Sequence, residues 1–173
     1  MVNILAEKAC QVQIVILDVD GVLTDGSMYY SDSGEVLKRF NTKDGMGISL
    51  LQRAGIKVAF VSGESTGIIT KRAEKLKVTD VYLGVEDKLT AVDDVLQKYR
   101  MNYQDACFVG DDINDFSVLK KVGFGVAVRG AVQIIKSIAH YVTSRDGGDG
   151  AVREVCDIIL ASKNITYVNQ NLD

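Results

Sequence analysis

Residues 14–26 read IVILDVDGVLTDG, and the fold turns on how that apolar run ends. Ile14, Val15, Ile16 and Leu17 form the uninterrupted, largely β-branched stretch that a strand buried on both faces requires. Asp18 and Asp20 then arrive at its carboxyl end, with Val19 between them. One carboxylate in that place is an ordinary turn or helix-capping residue. Two are also what a working site needs, so the rest of the chain decides between turn and site.

Outward from this run the pattern repeats. The first strand is expected over 12–17, with others over 57–61 (KVAFV), 80–83, 106–109 (ACFV), 124–128 (FGVAV) and 140–143. Helices are expected between them, over 46–54, 66–76, 89–100, 113–121, 130–138 and 151–161. In the third of these, Leu89, Val92, Leu96 and Tyr99 share one face. Strand and helix in alternation, with continuously apolar strands, predict an α/β fold: a doubly wound, Rossmann-like parallel sheet with helices on both faces. Residues 27–41 (SMYYSDSGEVLKRFN) break the alternation and predict a β-hairpin flap after strand 1, around the turn Asp32-Ser33-Gly34-Glu35. With no repeat and no linker, one domain is expected over 1–173, and the polar tail over 162–173 has no assigned role.

The totals narrow the function classes. At 173 residues the chain can bury a full core, and its 47% hydrophobic and 25% charged residues are ordinary for a globular protein. A net charge of -3 supplies no basic footprint, so nucleic acid is not an expected partner. Cys10, Cys107 and Cys156 are odd in number, far apart and outside any Cys-x-x-Cys pair, as reduced thiols of a cytoplasmic protein would be. The first eleven residues, with Glu7 and Lys8, do not read as a signal peptide. No apolar run approaches the roughly eighteen residues of a membrane span.

In a doubly wound sheet the carboxyl ends of the strands converge on one crevice. Asp18 and Asp20 follow the first strand, Ser62 and Gly63 the second, and Gly110, Asp111 and Asp112 the fourth, with Asn114 and Asp115 close behind. Lys88 opens the helix between the third and fourth strands. Singly, Ser62-Gly63 is a turn, Lys88 a solvated helix residue and Asp111-Asp112 a helix cap. Together those readings weaken, because clustered carboxylates repel one another and need a cation between them. All-oxygen ligands without histidine suit a hard ion, Mg²⁺ above all. His140, the only histidine, is expected in or beside the last strand as a structural residue. Mg²⁺, Lys88, the Ser62 hydroxyl and N–H groups at helix starts all attract phosphate oxygens, so phosphoryl transfer is the chemistry expected. Gly45-Met46-Gly47 is only a partial dinucleotide fingerprint, with Leu50 where a third Gly belongs, and there is no Walker loop.

Asp18-Val19-Asp20-Gly21-Val22-Leu23-Thr24, Ser62-Gly63, Lys88 and Gly110-Asp111-Asp112-Ile113-Asn114-Asp115, in that order, resemble the four motifs of the haloacid dehalogenase superfamily of phosphatases. FNTKDGMGI (40–48), GVEDK (84–88) and GGDGAVRE (147–154) are similar to its small capless branch, the 3-deoxy-D-manno-octulosonate 8-phosphate (KDO8P) phosphatase family. The resemblance implies Asp18 as nucleophile and Asp20 as general acid, then general base. It implies Mg²⁺ on the Asp18 carboxylate, the Asp20 carbonyl, Asp111 and waters. Ser62 and Lys88 would bind the phosphoryl oxygens, while Asp112 and Asp115 support the metal and orient Lys88. Between Asp25 and Asp44 only the hairpin fits, so no cap domain is expected. The resemblance also implies a homotetramer in which hairpins pack together and neighbours close each site.

The substrate is less determined. KDO8P phosphatases typically continue Ser-Gly-Arg, whereas this chain has Ser62-Gly63-Glu64. Glu64 with Lys75 looks more like the branch that acts on nine-carbon acids such as 2-keto-3-deoxynononate 9-phosphate (KDN9P). Arg72 resembles the position that meets the sugar acid's carboxylate from a neighbouring subunit, a group Arg recognises bidentately. An ordinary charged helix face accounts for these three equally well, so KDO8P, KDN9P and N-acetylneuraminate 9-phosphate all stay open. A phospho-receiver domain carries similar groups, but its acidic pair comes first and its Lys last. A catalytically weak scaffold is opposed by the intact Asp18 and Asp20.

Overall fold

The computed structural model describes residues 4–166, so residues 167–173 of the expected tail lie outside the described residues. The elements are α1 (Ile4–Gln11), β1 (Ile14–Leu17), β2 (Tyr29–Ser31), β3 (Gly34–Leu37), α2 (Thr42–Arg53), β4 (Lys57–Val61), α3 (Gly67–Leu76), β5 (Asp80–Tyr82), α4 (Lys88–Tyr99), β6 (Ala106–Gly110), α5 (Phe116–Leu119), β7 (Phe124–Ala127), α6 (Gln133–Ile138), β8 (Tyr141–Val142) and α7 (Ala151–Ser162). Six strands form one parallel sheet in the order β5-β4-β1-β6-β7-β8. This is the doubly wound order, in which the chain leaves β1 toward one edge and returns to its other side. Its switch point lies between β1 and β6, so a ligand crevice belongs beyond Leu17 and Gly110.

β1 is central because it can be buried on both faces and both edges. Ile14–Leu17 pair in register with Lys57–Phe60 on one side and Ala106–Val109 on the other, and all four β1 side chains are fully buried. Each contributes about 1.5–3 kcal/mol through removal of apolar surface from water. The remaining strands bury their apolar residues in the same layer, and α1, α2 and α7 pack together against it. His140 sits just before β8 and accepts a hydrogen bond at Nδ1 from the Gly125 N–H, 2.9 Å, the structural role expected of it. No helix among the described residues is long and apolar enough to cross a membrane.

Several boundaries differ from expectation for local reasons. Helix α2 begins at Thr42 rather than residue 46, because the Asn41 side chain caps it by accepting from the Lys43 N–H. Its Gly45 lowers helix propensity, yet a side chain there would collide with Arg72. The helix expected over 113–121 is a 3-10 turn at Ile113–Asp115 followed by the short α5. Helix α1 has no counterpart in the sequence reading. Its stripe is narrow, and it is held by α7 and by the Lys8 ammonium on the Gly123 carbonyl, 3.1 Å.

The hairpin is present as expected, with β2 and β3 antiparallel around a turn at Asp32 and Ser33. Nothing else separates β1 from α2, so no cap domain covers the sheet. Its stem is closed by an antiparallel bridge between Thr24 and Phe40.

Asp44 ties α2 to α7. Its buried carboxylate accepts from the Arg153 N–H at 2.8 Å and the Gly150 N–H at 3.3 Å, closing the start of α7 onto the start of α2. Asp44→Ala leaves both donors buried or poorly solvated, and should cost about 2–3 kcal/mol in urea denaturation, with Asp44→Asn costing less.

Candidate active site

The loop after β1 is built to hold a carboxylate still. The Asp18 N–H donates to the Val109 carbonyl at 3.1 Å, which continues the β1–β6 ladder by one residue. The N–H groups of Val22, Leu23 and Thr24 then all converge on the Val19 carbonyl. The buried Thr24 hydroxyl accepts from the Gly21 and Gly26 N–H groups, each at 3.2 Å. Gly21 has φ +83°, and a Cβ there would collide with the Asp111 carboxylate, so glycine is required on both counts.

The other strand ends bring their residues to the same place. Ser62 follows β4 and is buried, its N–H on the Tyr82 carbonyl and its Oγ accepting from the Glu64 N–H. Lys88 is the first residue of α4, behind Asp87, whose carboxylate caps that helix through the Leu89 N–H. Although only 2% exposed, the Lys88 ammonium reaches two acids: Asp18 Oδ1 at 2.9 Å and Asp115 Oδ1 at 2.6 Å. The other Asp115 oxygen accepts from the Asp111 and Asp112 N–H groups at 2.8 and 3.3 Å. Asp115 therefore sets both Lys88 and the loop that carries Asp111. Asp112 is exposed and caps the 3-10 turn through the Ile113 N–H, and the described ion pairs of Lys88 are with Asp18 and Asp115.

Charge is unbalanced at this point. One ligand oxygen each from Asp18, Asp111 and Asp115 lie within 4.8 Å of one another. A single ammonium faces these three carboxylates. Burial, then repulsion from Asp115, pushes Asp18 well above the ordinary carboxylate range despite Lys88. Burial and Asp115 likewise push Asp111 up to about 6. Burial disfavours the Lys88 charge, but attraction to Asp18 and Asp115 outweighs it and raises its pKa. A cluster that is short of positive charge and made only of oxygen fits a hard divalent cation.

Asp18, Ser62 and Asp111 line a cavity of about 280 Å³ with Asp20, Glu64 and Asn114, and Lys88 and Asp115 stand behind Asp18. Glu64 is thus where the sequence placed it. Lys75 is not: it lies at the far end of α3, in a cleft of about 510 Å³ with Lys57 and Asp80 at the amino ends of the strands. Ten residues of loop and helix run between Glu64 and Lys75, so the two do not pair within one subunit. Arg72 is also outside the cavity, with Nη2 donating to the Asn41 carbonyl at 3.0 Å and the guanidinium over the Phe40 ring.

Lys38 was not foreseen. From the foot of the hairpin it meets Asp20 Oδ1 at 2.6 Å and Glu35 Oε1 at 2.7 Å, with its side chain 0% exposed. Burial works against its charge, and the hydrogen bonds to Asp20 and Glu35 more than compensate, so its pKa is raised. The spacing Glu35-x-x-Lys38 holds no signal of this in sequence, because only the folded hairpin carries Lys38 to β1.

Comparison with known proteins identifies the family. The family model for haloacid dehalogenase-like hydrolases matches residues 80–155. The KDO8P phosphatase of Yersinia pestis is 40% identical over 158 residues, covering 91% of this chain and 84% of that protein. The Escherichia coli K12 enzyme of the same name is 42% identical over 156 residues, covering 90% and 83%. The crystal structure of the Yersinia pestis phosphatase superposes with a TM-score of 0.92 at 39% identity, covering 95% of this chain and 89% of that one. A Moraxella catarrhalis KDO8P phosphatase, solved with magnesium, phosphate and KDO, gives a TM-score of 0.91 at 34% identity, covering 95% and 94%. At this identity and coverage, the chain belongs to the KDO8P phosphatase family of haloacid dehalogenase-like hydrolases.

Proposed function

We propose that the protein is a Mg²⁺-dependent phosphatase that hydrolyses KDO8P through an aspartyl-phosphate on Asp18. The observation that carries this reading is the buried Asp18 carboxylate, paired to Lys88 and set beside Asp111 and Asp115 at the switch point of the sheet. Asp18, Asp111 and the Asp20 carbonyl would hold Mg²⁺, which when bound neutralises charge on the phosphoryl group and the acids.

The chain's own residues supply the rest. Asp18 forms a bond to phosphorus as the ester oxygen departs, and Lys88 and Ser62 steady the phosphoryl oxygens. Asp20 protonates the leaving alkoxide, then takes a proton from the water that attacks the aspartyl-phosphate. Asp115 fixes Lys88 and the loop that carries Asp111, and Asp112 caps the 3-10 turn that follows. Glu64 faces the sugar. The eight-carbon acid is favoured by relatives at about 40% identity that share this name, and the nine-carbon acids are the competing substrates.

We also infer a homotetramer, in which Arg72 of one subunit reaches the sugar acid's carboxylate in the next. Support comes from the hairpin, where Met28, Tyr29, Tyr30, Val36 and Leu37 are exposed together. Apolar side chains gathered on a flap suit a surface that another subunit covers. Sedimentation velocity at micromolar concentration should give a tetramer, and a monomer there would remove this part of the proposal.

Asp18→Asn should abolish turnover of KDO8P with the fold intact by circular dichroism; retained turnover would end the proposal. In parallel, kcat/KM on KDO8P should exceed that on KDN9P and N-acetylneuraminate 9-phosphate. Metal dependence has a stability readout. In the metal-free fold Asp111 binds its proton more tightly than in the unfolded chain, about 6 against 3.8. Its contribution is therefore full at low pH and is lost as pH rises between those values. The Tm of chelated protein should fall across that window, less so in Asp111→Asn, and excess Mg²⁺ should restore it at neutral pH.

A further inference from the structure

We propose that Lys38 is a positioning residue for catalysis, holding the Asp20 carboxylate by one oxygen so that the other carries the exchanged proton. The inference rests on the acid–base role proposed for Asp20. Lys38 Nζ is the only side-chain donor to Asp20 among the described hydrogen bonds, through Oδ1 at 2.6 Å. Asp20 Oδ2 is shielded from solvent and has no hydrogen-bond partner among the described residues. One oxygen is thus fixed and the other is left without a donor, which is the arrangement a proton carrier needs.

Glu35 makes the arrangement workable. A buried ammonium with one carboxylate partner would be stranded each time that partner took up a proton, at the cost of an uncompensated buried charge. Here the ammonium keeps Glu35 at 2.7 Å. When Asp20 is protonated, Lys38 and Glu35 remain a neutral pair; when Asp20 has given its proton to the departing oxygen, Lys38 holds two carboxylates. In the second half-reaction the proton returns from water to Asp20 as the water oxygen bonds to phosphorus and the bond to Asp18 breaks. The ammonium loses no proton at either stage.

The placement of Lys38 differs from that of its neighbour. Arg39 pairs with Asp25 at 3.0 Å with its side chain 55% exposed, a geometry worth little in water. Lys38 lies at the stem of the hairpin, next to the Thr24–Phe40 bridge, with its stem packed and its head enclosed. The hairpin thereby reaches the reaction through the Lys38 side chain and Asp20.

The experiment compares leaving groups. An alkoxide departs poorly without a proton, whereas p-nitrophenolate departs without one, and kcat/KM reports the transition state in which that group leaves. Lys38→Met should lower kcat/KM on KDO8P by about 10–100-fold and on p-nitrophenyl phosphate by no more than about threefold, with Lys38→Arg recovering part of the loss. Placed on Asp20→Asn, Lys38→Met should add less than about twofold, because the two act as one unit. Lys38→Gln is measured in the same way and decides the matter should the Met variant fail to fold. Equal losses on both esters, or losses that multiply with Asp20→Asn, would overturn the proposal. If Asp20→Asn leaves turnover of KDO8P intact, the role given to Asp20 fails instead.

Discussion

One ammonium among acids governs this structure. Lys88 is almost wholly enclosed, which is tolerable for a charged amine only because Asp18 and Asp115 stand within 3 Å on two sides. Those acids are enclosed in turn, and Asp115 also holds the two N–H groups that begin the Asp111 loop. Removing any member leaves a charge or a donor without its partner. The backbone geometry at the carboxyl ends of β1 and β6 follows from satisfying these groups, and glycine at position 21 follows from the closeness of Asp111 to the turn. Three acids against one cation leave the cluster short of positive charge, and that deficit is what a divalent ion and a phosphoryl group together would fill.

The hairpin adds a second charged group of different character. Lys38, Asp20 and Glu35 are built from a flap and a loop instead of from the sheet, and Asp20 brings the group to the cavity. The first cluster is held by parallel strands and cannot shift without disrupting the core. The second depends on where a two-stranded ribbon lies, and the exposed Tyr30 and Leu37 at its surface make that ribbon the natural place for another subunit to press.

Much of this was legible in the sequence, and the limits are physical. Strand positions were readable because buried parallel strands leave continuous apolar runs, and Asp18, Ser62, Lys88 and Asp111 were readable because the topology places every strand end at one crevice. The switch at residue 42 was not readable, since Gly45 and Gly47 hide a helix whose close packing against Arg72 and Cys156 requires them. Helix α1 was missed because its stability comes from α7, more than a hundred residues away. Lys75, expected near Glu64 from the resemblance, stands at the amino ends of the strands, because α3 runs from their carboxyl ends to their amino ends. Lys38 belongs to a class that no local pattern reveals, because its partner Asp20 is eighteen residues earlier and is met only across the hairpin stem.

The strand order has a consequence for how the molecule comes into being. β1 is made first and lies at the centre, but its partners are residues 57–60 and 106–109, and both pairings close long loops. Nothing can dock against its second edge until two-thirds of the chain exists. Asp18 therefore stays in water through most of synthesis and meets Asp111 and Asp115 only when β6 arrives, by which time Lys88 is already available to receive them. The repulsive contacts form only after β4, β5 and α4 have been made, so partners that can hold them are already present. Phosphatase activity in a nascent or truncated chain would accordingly mark the docking of β6 against β1, the step that joins the two halves of the sheet.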